Sequence, residues 1–284
     1  MEEFSNYTPI LKWAGGKRQL MPELLKSVPE HFNTYFEPFV GGAALLFSLY
    51  SQRRLRKAII SDVNEDLYKL YSVIKKDPHG LAREMERMAF QNNSEDYYRA
   101  RDRFNSTSDI MEKSAILIYL NRHCFNGLYR VNSRNQFNVP FGRYSNPEIP
   151  SESVIMDLSV VFKSCTILNS DFEEAVMDAT EGDFVYFDPP YIPLSKTASF
   201  TDYTSKGFSM KDQERLLKTF QKLNDKGVMV MESNSDTPII KDMYSQFFMR
   251  TVNARRSINS IGMKRKGGTE VIITNYEVPD KSNI

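Results

Sequence analysis

Short apolar runs that alternate with segments of helical periodicity constrain the fold of this chain most. Runs at residues 33–39 and 57–62 are each followed by a helical pattern, at 41–50 and 64–76. Asn64 is a suitable N-cap for the second helix, which has acidic residues in its first turn and lysines in its last. A β-α-β-α order favours parallel strands joined by crossover helices. The sequence therefore predicts an α/β protein: a Rossmann-like sheet with helices on both faces.

A long helical interruption divides this alternation. Residues 77–121 have the pattern of polar helices, and residues 121–147 have little periodicity. We therefore expect an inserted, mainly helical unit at 78–160, within a domain formed by 1–77 and 161–284. Later strands are predicted at 165–169, 183–187, 227–232, about 248–253 and about 270–276, with helices at about 209–224 and 237–247.

Composition excludes several classes of protein. With 41% apolar and 26% charged residues in 284, the chain can bury a core and keep a soluble surface. It has no apolar run long enough for a membrane span and no signal-peptide pattern, so we expect a cytoplasmic protein. Cys124 and Cys165 form no CxxC pair, and the three histidines are scattered. A disulfide framework and a metal site are therefore not expected.

The charge distribution is more informative than the net charge of +1. Two segments, from Asn121 to Pro147 and from Met249 to Gly268, contain no acidic residue. They indicate a positive surface that could face a nucleic acid, although solvated loops would give the same pattern. The first carries Arg122, Arg130, Arg134 and Arg143 among Phe125, Tyr129, Phe137, Phe141 and Tyr144; the second carries Arg250, Arg255, Arg256, Lys264, Arg265 and Lys266.

Two glycine pairs lie at the starts of predicted helices. Gly41 and Gly42 follow the first strand, and Asp62, about 20 residues later, ends the second strand. This spacing suits a nucleoside-type ligand whose ribose hydroxyls bind the acid, although a tight turn would also explain the glycines. The stretch "KWAGGKRQL" (12–20) is not a P-loop, because Lys17 is followed by Arg18. It could bind a small anion such as a carboxylate.

The stretch "FDPPY" (187–191) follows a buried strand directly. Two prolines stiffen the turn and remove two backbone donors. The side chain of Asp188 and the carbonyl of Pro189 can therefore accept the two N–H bonds of a planar amine, and Tyr191 can stack on its ring. A strand end capped by a Pro-Pro turn is the structural alternative. The pattern favours a site that makes the amine of adenine nucleophilic.

Together, the motifs "KWAGGK", "FEPFVGGAALLF", "SDVNEDL", "FVYFDPPYIPLS" and "NRHCFNGLYRVNSRNQFNVPFGRY" closely resemble Dam-like DNA adenine-N6 methyltransferases of the α-group. The chain looks most like the DpnII-type and Dam methylases, which act on GATC. The resemblance implies S-adenosylmethionine as cofactor, double-stranded DNA as substrate and flipping of the target base. It also implies that a cognate restriction endonuclease could act on the same site.

The resemblance assigns roles to residues of this sequence. Lys17 would lie near the methionine carboxylate, Asp62 at the ribose, and Asp171 and Phe172 beside the cofactor adenine. Ala43 stands where the family has the last glycine of its F-x-G-x-G motif. The implied cofactor residues are Trp13, Ala14, Gly15, Lys17, Glu37, Phe39, Gly41, Gly42, Asp62, Asp171, Phe172 and Asp188, and the implied catalytic residues are Asp188, Pro189, Pro190 and Tyr191.

The resemblance also implies a set of DNA contacts. Phe125 would wedge into the duplex, and Arg130 would read a guanine, the commonest specific contact, or else clamp a phosphate. Ser195 and Thr197 would hold phosphates near the flipped nucleotide. The full implied set is Lys12, Phe125, Asn126, Leu128, Arg130, Pro140, Arg143, Tyr144, Ser195 and Thr197.

Other functions remain open at the level of the sequence. Similar motifs occur in enzymes that methylate cytosine N4, RNA adenine or a glutamine amide. The interleaved arginines and rings of 121–147 favour duplex DNA over a protein substrate. A nucleic-acid-binding protein without catalysis would leave the glycine loops, Asp62 and the 188–191 turn unexplained together.

Overall fold

A seven-stranded sheet forms the centre of the part of the chain that the computed structural model describes, residues 7–13, 15–191, 208–254 and 268–279. The strand order is β3-β2-β1-β4-β5-β7-β6. The first five strands are parallel, and β7 pairs antiparallel with both β5 and β6. The strands are β1 Tyr35–Glu37, β2 Ala58–Ser61, β3 Cys165–Leu168, β4 Phe184–Phe187, β5 Met229–Ser235, β6 Phe248–Ala254 and β7 Gly268–Thr274.

Most of the helices begin at a residue whose side chain caps the first turn. The Asn64 side chain accepts hydrogen bonds from the backbone N–H groups of Asp66 and Leu67, so the predicted N-cap is confirmed. Ser209 and Asp212 form a reciprocal capping box at the start of α9. The helices are α1 Met21–Ser27, α2 Ala44–Ser51, α3 Glu65–Lys76, α4 Pro78–Met88, α5 Ser94–Ser106, α6 Ile110–His123, α7 Glu152–Lys163, α8 Phe172–Ala175, α9 Met210–Asp225 and α10 Pro238–Met243.

The predicted α/β fold is confirmed, and its parallel core ends at β5. The residues that join β6 to β7 lie outside the described part of the chain, and the two strands pair antiparallel. The strand order reverses between the neighbours β1 and β4. Open α/β sheets bind ligands at the carboxyl ends of the strands at such a point. The loop that contains Gly41 and Gly42 follows β1, and the 188–191 turn follows β4.

Side chains alternate between two buried clusters, one on each face of the sheet. Tyr35, Phe184 and Tyr186 lie in the cluster of the first face. Phe36 and Val185 lie in the cluster of the second, against α9 and α10. This period of two assigns every strand residue to a face and so determines which polar side chains can meet at the carboxyl edge.

The helices of residues 78–160 share the buried cluster of the first face. Tyr97, Phe104 and Phe137 belong to the same cluster as Leu46 of α2. The predicted boundary at residue 160 falls inside α7, which packs against α3 and β3. We therefore keep the division into two units as a proposal. No helix in the described residues combines the length and the apolar character that crossing a bilayer requires.

Candidate active site

Polar side chains from four strands meet at the carboxyl edge of the first face. Tyr35 pairs with Phe184 in the parallel register of β1 and β4, so Glu37 is on the same face as Tyr186 and Asp188. On β5, Ser233 lies on that face as well, because Tyr186 pairs with Met231. On β7, Glu270 pairs with Ser235. The sheet thus brings Glu37, Tyr186, Asp188, Ser233 and Glu270 to one side of the reversal point.

Asp188 is held by donors from two other parts of the chain. Its Oδ1 accepts a hydrogen bond from Ser233 Oγ at 2.8 Å and lies 2.9 Å from Lys17 Nζ. Burial raises the pKa of the Asp188 carboxyl, and the Lys17 ammonium and the Ser233 hydroxyl act in the opposite direction. Among the described residues, no donor contacts Oδ2. One oxygen of the carboxylate is therefore fixed by the protein, and the other can accept from a ligand.

Lys17 connects the N-terminal glycine loop to the 188–191 turn. It starts a 3₁₀ turn and is buried. Its Nζ donates to Tyr191 Oη at 2.7 Å and lies 3.7 Å from Glu270 Oε2. Burial alone would lower the pKa of this ammonium, but Asp188 and Glu270 raise it above its usual value. Lys17 is therefore a fixed positive charge between two carboxylates.

Glu270 is a member of the site that sequence reasoning missed. The Tyr191 hydroxyl donates to its carboxylate, and Glu270 is mostly buried. The available signal was slight: Glu270 is the first acid after the acid-free segment from Met249 to Gly268. Only the antiparallel insertion of β7 beside β5 brings it to the turn.

The loop after β1 packs against the N-terminal loop. A Cβ at Gly41, which has φ +43°, would lie 2.8 Å from Trp13 Cδ1. The Trp13 ring also lies 5.5 Å from the ring of Tyr129. Glycine at position 41 is thus required by the close approach of an indole and by a left-handed backbone.

Asp62 stabilises the same loop. Its Oδ2 accepts from Gly41 N at 3.1 Å, and its Oδ1 accepts from Asn64 N at 2.9 Å. Burial raises the pKa of the Asp62 carboxyl to about 6, and the two backbone hydrogen bonds oppose this shift. Each oxygen keeps a further acceptor position for a hydroxyl group.

Glu37, at the end of β1, is a buried carboxyl with incomplete hydrogen bonding. Its Oε2 accepts no hydrogen bond from a described residue. Burial raises the pKa of Glu37 well above its usual value. A cationic group nearby would complete the hydrogen bonding of Oε2 and stabilise the charged form.

An aromatic group lies on the second face. Phe39 stacks on Phe172 with ring centroids 5.4 Å apart. The guanidinium carbon of Arg215 lies 4.9 Å from the centroid of the Phe172 ring. Arg215 Nη2 donates to Asp171 Oδ1 at 2.8 Å. Asp171 also caps α8 through Glu173 N. The structure therefore joins Phe39, Asp171 and Phe172 in one group, and Arg215, which the sequence had not indicated, orders it.

The predicted DNA-contacting segments are tied to the N-terminal loop by Asn121. Lys12 N donates to Asn121 Oδ1 at 2.7 Å. Asn121 Nδ2 donates to the carbonyls of Lys12, at 2.8 Å, and Gly127, at 3.0 Å. A Cβ at Gly127 would lie 2.4 Å from Lys12 Cβ, and the φ of Gly127 is +62°. Lys12 is therefore positioned beside the 125–128 turn.

Several of the predicted DNA contacts form one surface. Lys12 Nζ lies 4.9 Å from the centroid of Tyr144, whose hydroxyl accepts from Asn126 N at 2.9 Å. Phe125 is 47% exposed, and its N–H donates to the carbonyl of Pro140 at 2.9 Å. Among the other predicted DNA contacts, Leu128 is half-buried, and Arg130 and Arg143 are exposed.

Arg130 is held in a defined orientation. Its Nε donates to Asn138 Oδ1 at 2.8 Å, and its Nη2 lies 3.4 Å from the Asn138 carbonyl. The guanidinium is exposed and keeps donors for a ligand.

Residues 13–258 match the family described as D12 class N6 adenine-specific DNA methyltransferases. The chain belongs to this family. It is 46% identical over 279 residues to the type II methyltransferase M1.LlaDCHI of Lactococcus lactis subsp. cremoris, covering 95% of this chain and 96% of that protein. It is 42% identical to the type II methyltransferase M.MjaIII of Methanocaldococcus jannaschii, covering 94% and 99%. It is 34% identical to the DNA adenine methylase of Escherichia coli K12, covering 93% of each.

The protein is therefore an adenine-specific DNA methyltransferase with a Rossmann-like sheet. This confirms the resemblance of the motifs and the expected enzyme class. Because the family is adenine-specific, the cytosine alternative is set aside, and because its members methylate DNA, the RNA, protein and non-catalytic alternatives are set aside as well.

The cysteines of the methyltransferase are poor nucleophiles. Cys124 and Cys165 are buried, and burial raises the pKa of each thiol to about 12. They stay protonated near neutral pH. Within the described part of the chain, no group of His, Cys, Asp and Glu could hold a metal ion.

Two arginines of the predicted positive surface contact other parts of the protein. Arg122 donates to the carbonyl of Ile10 at 2.6 Å. Arg250 donates to the carbonyl of Glu23 and pairs with its carboxylate at 3.0 Å. Predictions for Ala14, Ser195, Thr197, Arg255, Arg256, Lys264, Arg265 and Lys266 fall outside the described residues.

Proposed function

We propose that this methyltransferase transfers a methyl group from S-adenosylmethionine to N6 of adenine in duplex GATC sites, after flipping the adenine out of the helix. The observation that carries the proposal is the placement of Asp188 at the reversal point of the sheet. Its Oδ1 is held by Ser233 and Lys17, and no described residue donates to its Oδ2.

The residues present fit S-adenosylmethionine. The buried Glu37 Oε2, which lacks a donor among the described residues, suits the ammonium of the methionine part. Lys17 would supply a positive charge for the carboxylate, and Gly15 lies in the same loop. Asp62 can accept from the ribose hydroxyls while it holds Gly41 N. Phe39, Asp171 and Phe172 would border the adenine of the cofactor.

The chemistry needs little from the protein beyond binding and orientation. Bound S-adenosylmethionine supplies a methyl group already activated by its sulfonium charge. Asp188 Oδ2 and the Pro189 carbonyl accept the two N–H bonds of N6, and the Tyr191 ring stacks on the base. With the cofactor bound, the nitrogen lone pair would form the new N–C bond while the C–S bond breaks, and sulfur would keep the electron pair of that bond. The proton that N6 then loses goes to Asp188 or to water.

The surface of Lys12, Phe125 and Tyr144 supports recognition of a duplex. The exposed Phe125 ring can wedge between base pairs, while Arg130, oriented by Asn138, can read a guanine. GATC as the target follows from the resemblance to GATC methylases. Two similar proteins are named type II methyltransferases, which supports a cognate endonuclease acting on the same site in the same cytoplasm.

A direct test uses purified protein with tritiated S-adenosylmethionine and three matched duplexes. One contains a single GATC site, one the permuted site GTAC, and one GATC with N6-methyladenine in both strands. We expect incorporation into the first duplex alone, and N6-methyldeoxyadenosine as the modified nucleoside in the digested DNA. Equal labelling of GATC and GTAC would overturn the target sequence, and labelled cytosine would overturn the target atom.

Base flipping has its own readout. With 2-aminopurine in place of the target adenine, binding of the protein should raise the fluorescence, because the base loses its stacking neighbours. A second duplex with 2-aminopurine outside the site should show no rise.

A further inference from the structure

Ser233 is a polar residue of β5 that lies directly beside the catalytic turn. It lies one residue beyond Glu232, which pairs with Phe187, and therefore stands next to Asp188. Neighbouring side chains on this face are Phe184, Met231 and Ile272. Ser233 is completely buried. A buried polar side chain at this point needs hydrogen-bond partners. Ser233 has Asp188 and Tyr186 at 2.8 Å, and it also interacts with the Tyr191 hydroxyl.

The direction of both hydrogen bonds follows from the chemistry. Asp188, beside the Lys17 ammonium, is a carboxylate and can only accept, so Ser233 Oγ donates its single proton to Asp188 Oδ1 at 2.8 Å. The Tyr186 hydroxyl, 2.8 Å from Ser233 Oγ, must then donate to it. Burial raises the pKa of Tyr186 well above its usual value, so this donor keeps its proton.

We propose that Ser233, itself oriented by the Tyr186 hydroxyl, is the positioning residue that holds Asp188 with Oδ1 toward the protein and Oδ2 toward the amine of the target base. This inference rests on the proposed function. A carboxylate with both oxygens free could rotate about its terminal bond, whereas two donors on one oxygen, Ser233 and Lys17, favour a single orientation. Both residues of the hydroxyl pair are buried, so each would act through Asp188 rather than on the base itself.

Other charged and titratable groups surround Asp188, and one of them, Tyr191, also interacts with the Ser233 hydroxyl. Lys17 faces it from the N-terminal loop and Glu270 from β7. Glu37 and Tyr35 on β1, Tyr191 on the turn and Glu232 on β5 also interact with its charge. Removing the Ser233 donor removes one interaction that lowers the pKa of Asp188. The acid limb of the methylation rate should then move to higher pH.

The test compares Ser233→Ala with Ser159→Ala. Ser159, on α7, is another buried serine, and its Oγ contacts no hydrogen-bond partner among the described residues. Single-turnover methylation of a GATC duplex is measured against pH, and affinity for S-adenosylhomocysteine is measured by calorimetry. We expect Ser233→Ala to lower the rate about tenfold and shift its acid limb upward. The affinity for S-adenosylhomocysteine should stay within about twofold. Ser159→Ala should match the wild type in rate, in pH dependence and in this affinity.

Two further variants keep the test decisive. Ser233→Thr retains a hydroxyl and should recover part of the rate. Tyr186→Phe should slow transfer by about threefold in the wild-type background and have no further effect in Ser233→Ala. An unchanged rate and pH profile in Ser233→Ala, or independent effects of the two substitutions, would overturn the inference. If Ser233→Ala does not fold, an unchanged rate in Tyr186→Phe overturns it instead. Absence of transfer by the wild type would contradict the proposed function itself.

Discussion

The indole of Trp13 occupies the space that a side chain at Gly41 would need. A Cβ there would lie 2.8 Å from Trp13 Cδ1 and 3.0 Å from Trp13 Nε1. The two glycine-containing loops are thereby packed against each other, and Gly41 N is also held by Asp62. The shape of the proposed cofactor site thus depends on this contact between residues from separate motifs.

Gly41→Ala should destabilise the protein through this contact. We expect a loss of about 2–4 kcal/mol in the free energy of unfolding, from overlap with Trp13 added to the strain of a positive φ. Gly15→Ala is the matched control, because Gly15 has φ +79° but, apart from its chain neighbours, no described residue has a heavy atom within 4 Å of its Cβ position. Gly15→Ala should cost only about 1 kcal/mol. Equal losses for the two variants in urea denaturation would contradict a steric role for Trp13.

Substitution of Asp188 should separate catalysis from cofactor binding. In Asp188→Ala the acceptor for the amine is lost, and we expect methyl transfer to become undetectable while S-adenosylmethionine binding is weakened but measurable. Asp188→Asn keeps a carbonyl oxygen that accepts an N–H bond, so it should retain more activity than the alanine variant. Tritium transfer and calorimetry measure the two properties. Wild-type turnover in Asp188→Ala would refute the catalytic assignment.

Arg130→Ala should relax the preference for one guanine of the site. The expected loss is about 1–3 kcal/mol of discrimination against the wrong base at that position. Asn138→Ala should cause a smaller loss of the same kind, because it removes the side-chain oxygen that orients Arg130 Nε. Competition binding with singly substituted duplexes measures both. A loss equal on every sequence, with a shallower salt dependence, would identify Arg130 as a phosphate contact instead.

Cofactor affinity should fall in acid because of Asp62. Its pKa in the free protein is raised to about 6, and only the carboxylate can accept from both ribose hydroxyls. As the pH falls through this value the group gains a proton, so affinity should drop about tenfold between about pH 7 and pH 5. In Asp62→Asn the affinity should be weaker at neutral pH, and this acid-dependent drop should disappear. Parallel pH slopes in calorimetry of the two proteins would show that another group titrates.

Stability should depend on pH through the buried carboxyl of Glu232. Its Oε1 accepts from Asn234 and Gln213, and burial raises its pKa from 4.5 to about 7. The folded state therefore binds this proton more tightly than the unfolded chain. The unfolding free energy should fall as the pH rises from 4.5 to 7, by about 3 kcal/mol. Glu232→Gln cannot titrate, so its unfolding free energy should lack this decrease with pH. If the difference in unfolding free energy between the wild type and Glu232→Gln does not change with pH, the prediction is wrong.

The sequence by itself determined the elements and the family. Short apolar runs, helical periodicity and caps such as Asn64 are local signals, so they identified the strands, the α3 start and the 188–191 turn. The motifs identified the adenine methyltransferase family because each combines a fixed spacing with a defined chemistry.

Only the tertiary structure decided which distant residues complete the site. Ser233 and Glu270 reach Asp188 and Tyr191 through the register of β5 and the antiparallel placement of β7. The hydrogen bond from Lys17 to Tyr191 joins residues 174 positions apart, and that from Lys12 to Asn121 joins residues 109 apart. No local pattern records such contacts, because they depend on strand order and packing, which arise only when the whole sheet has formed.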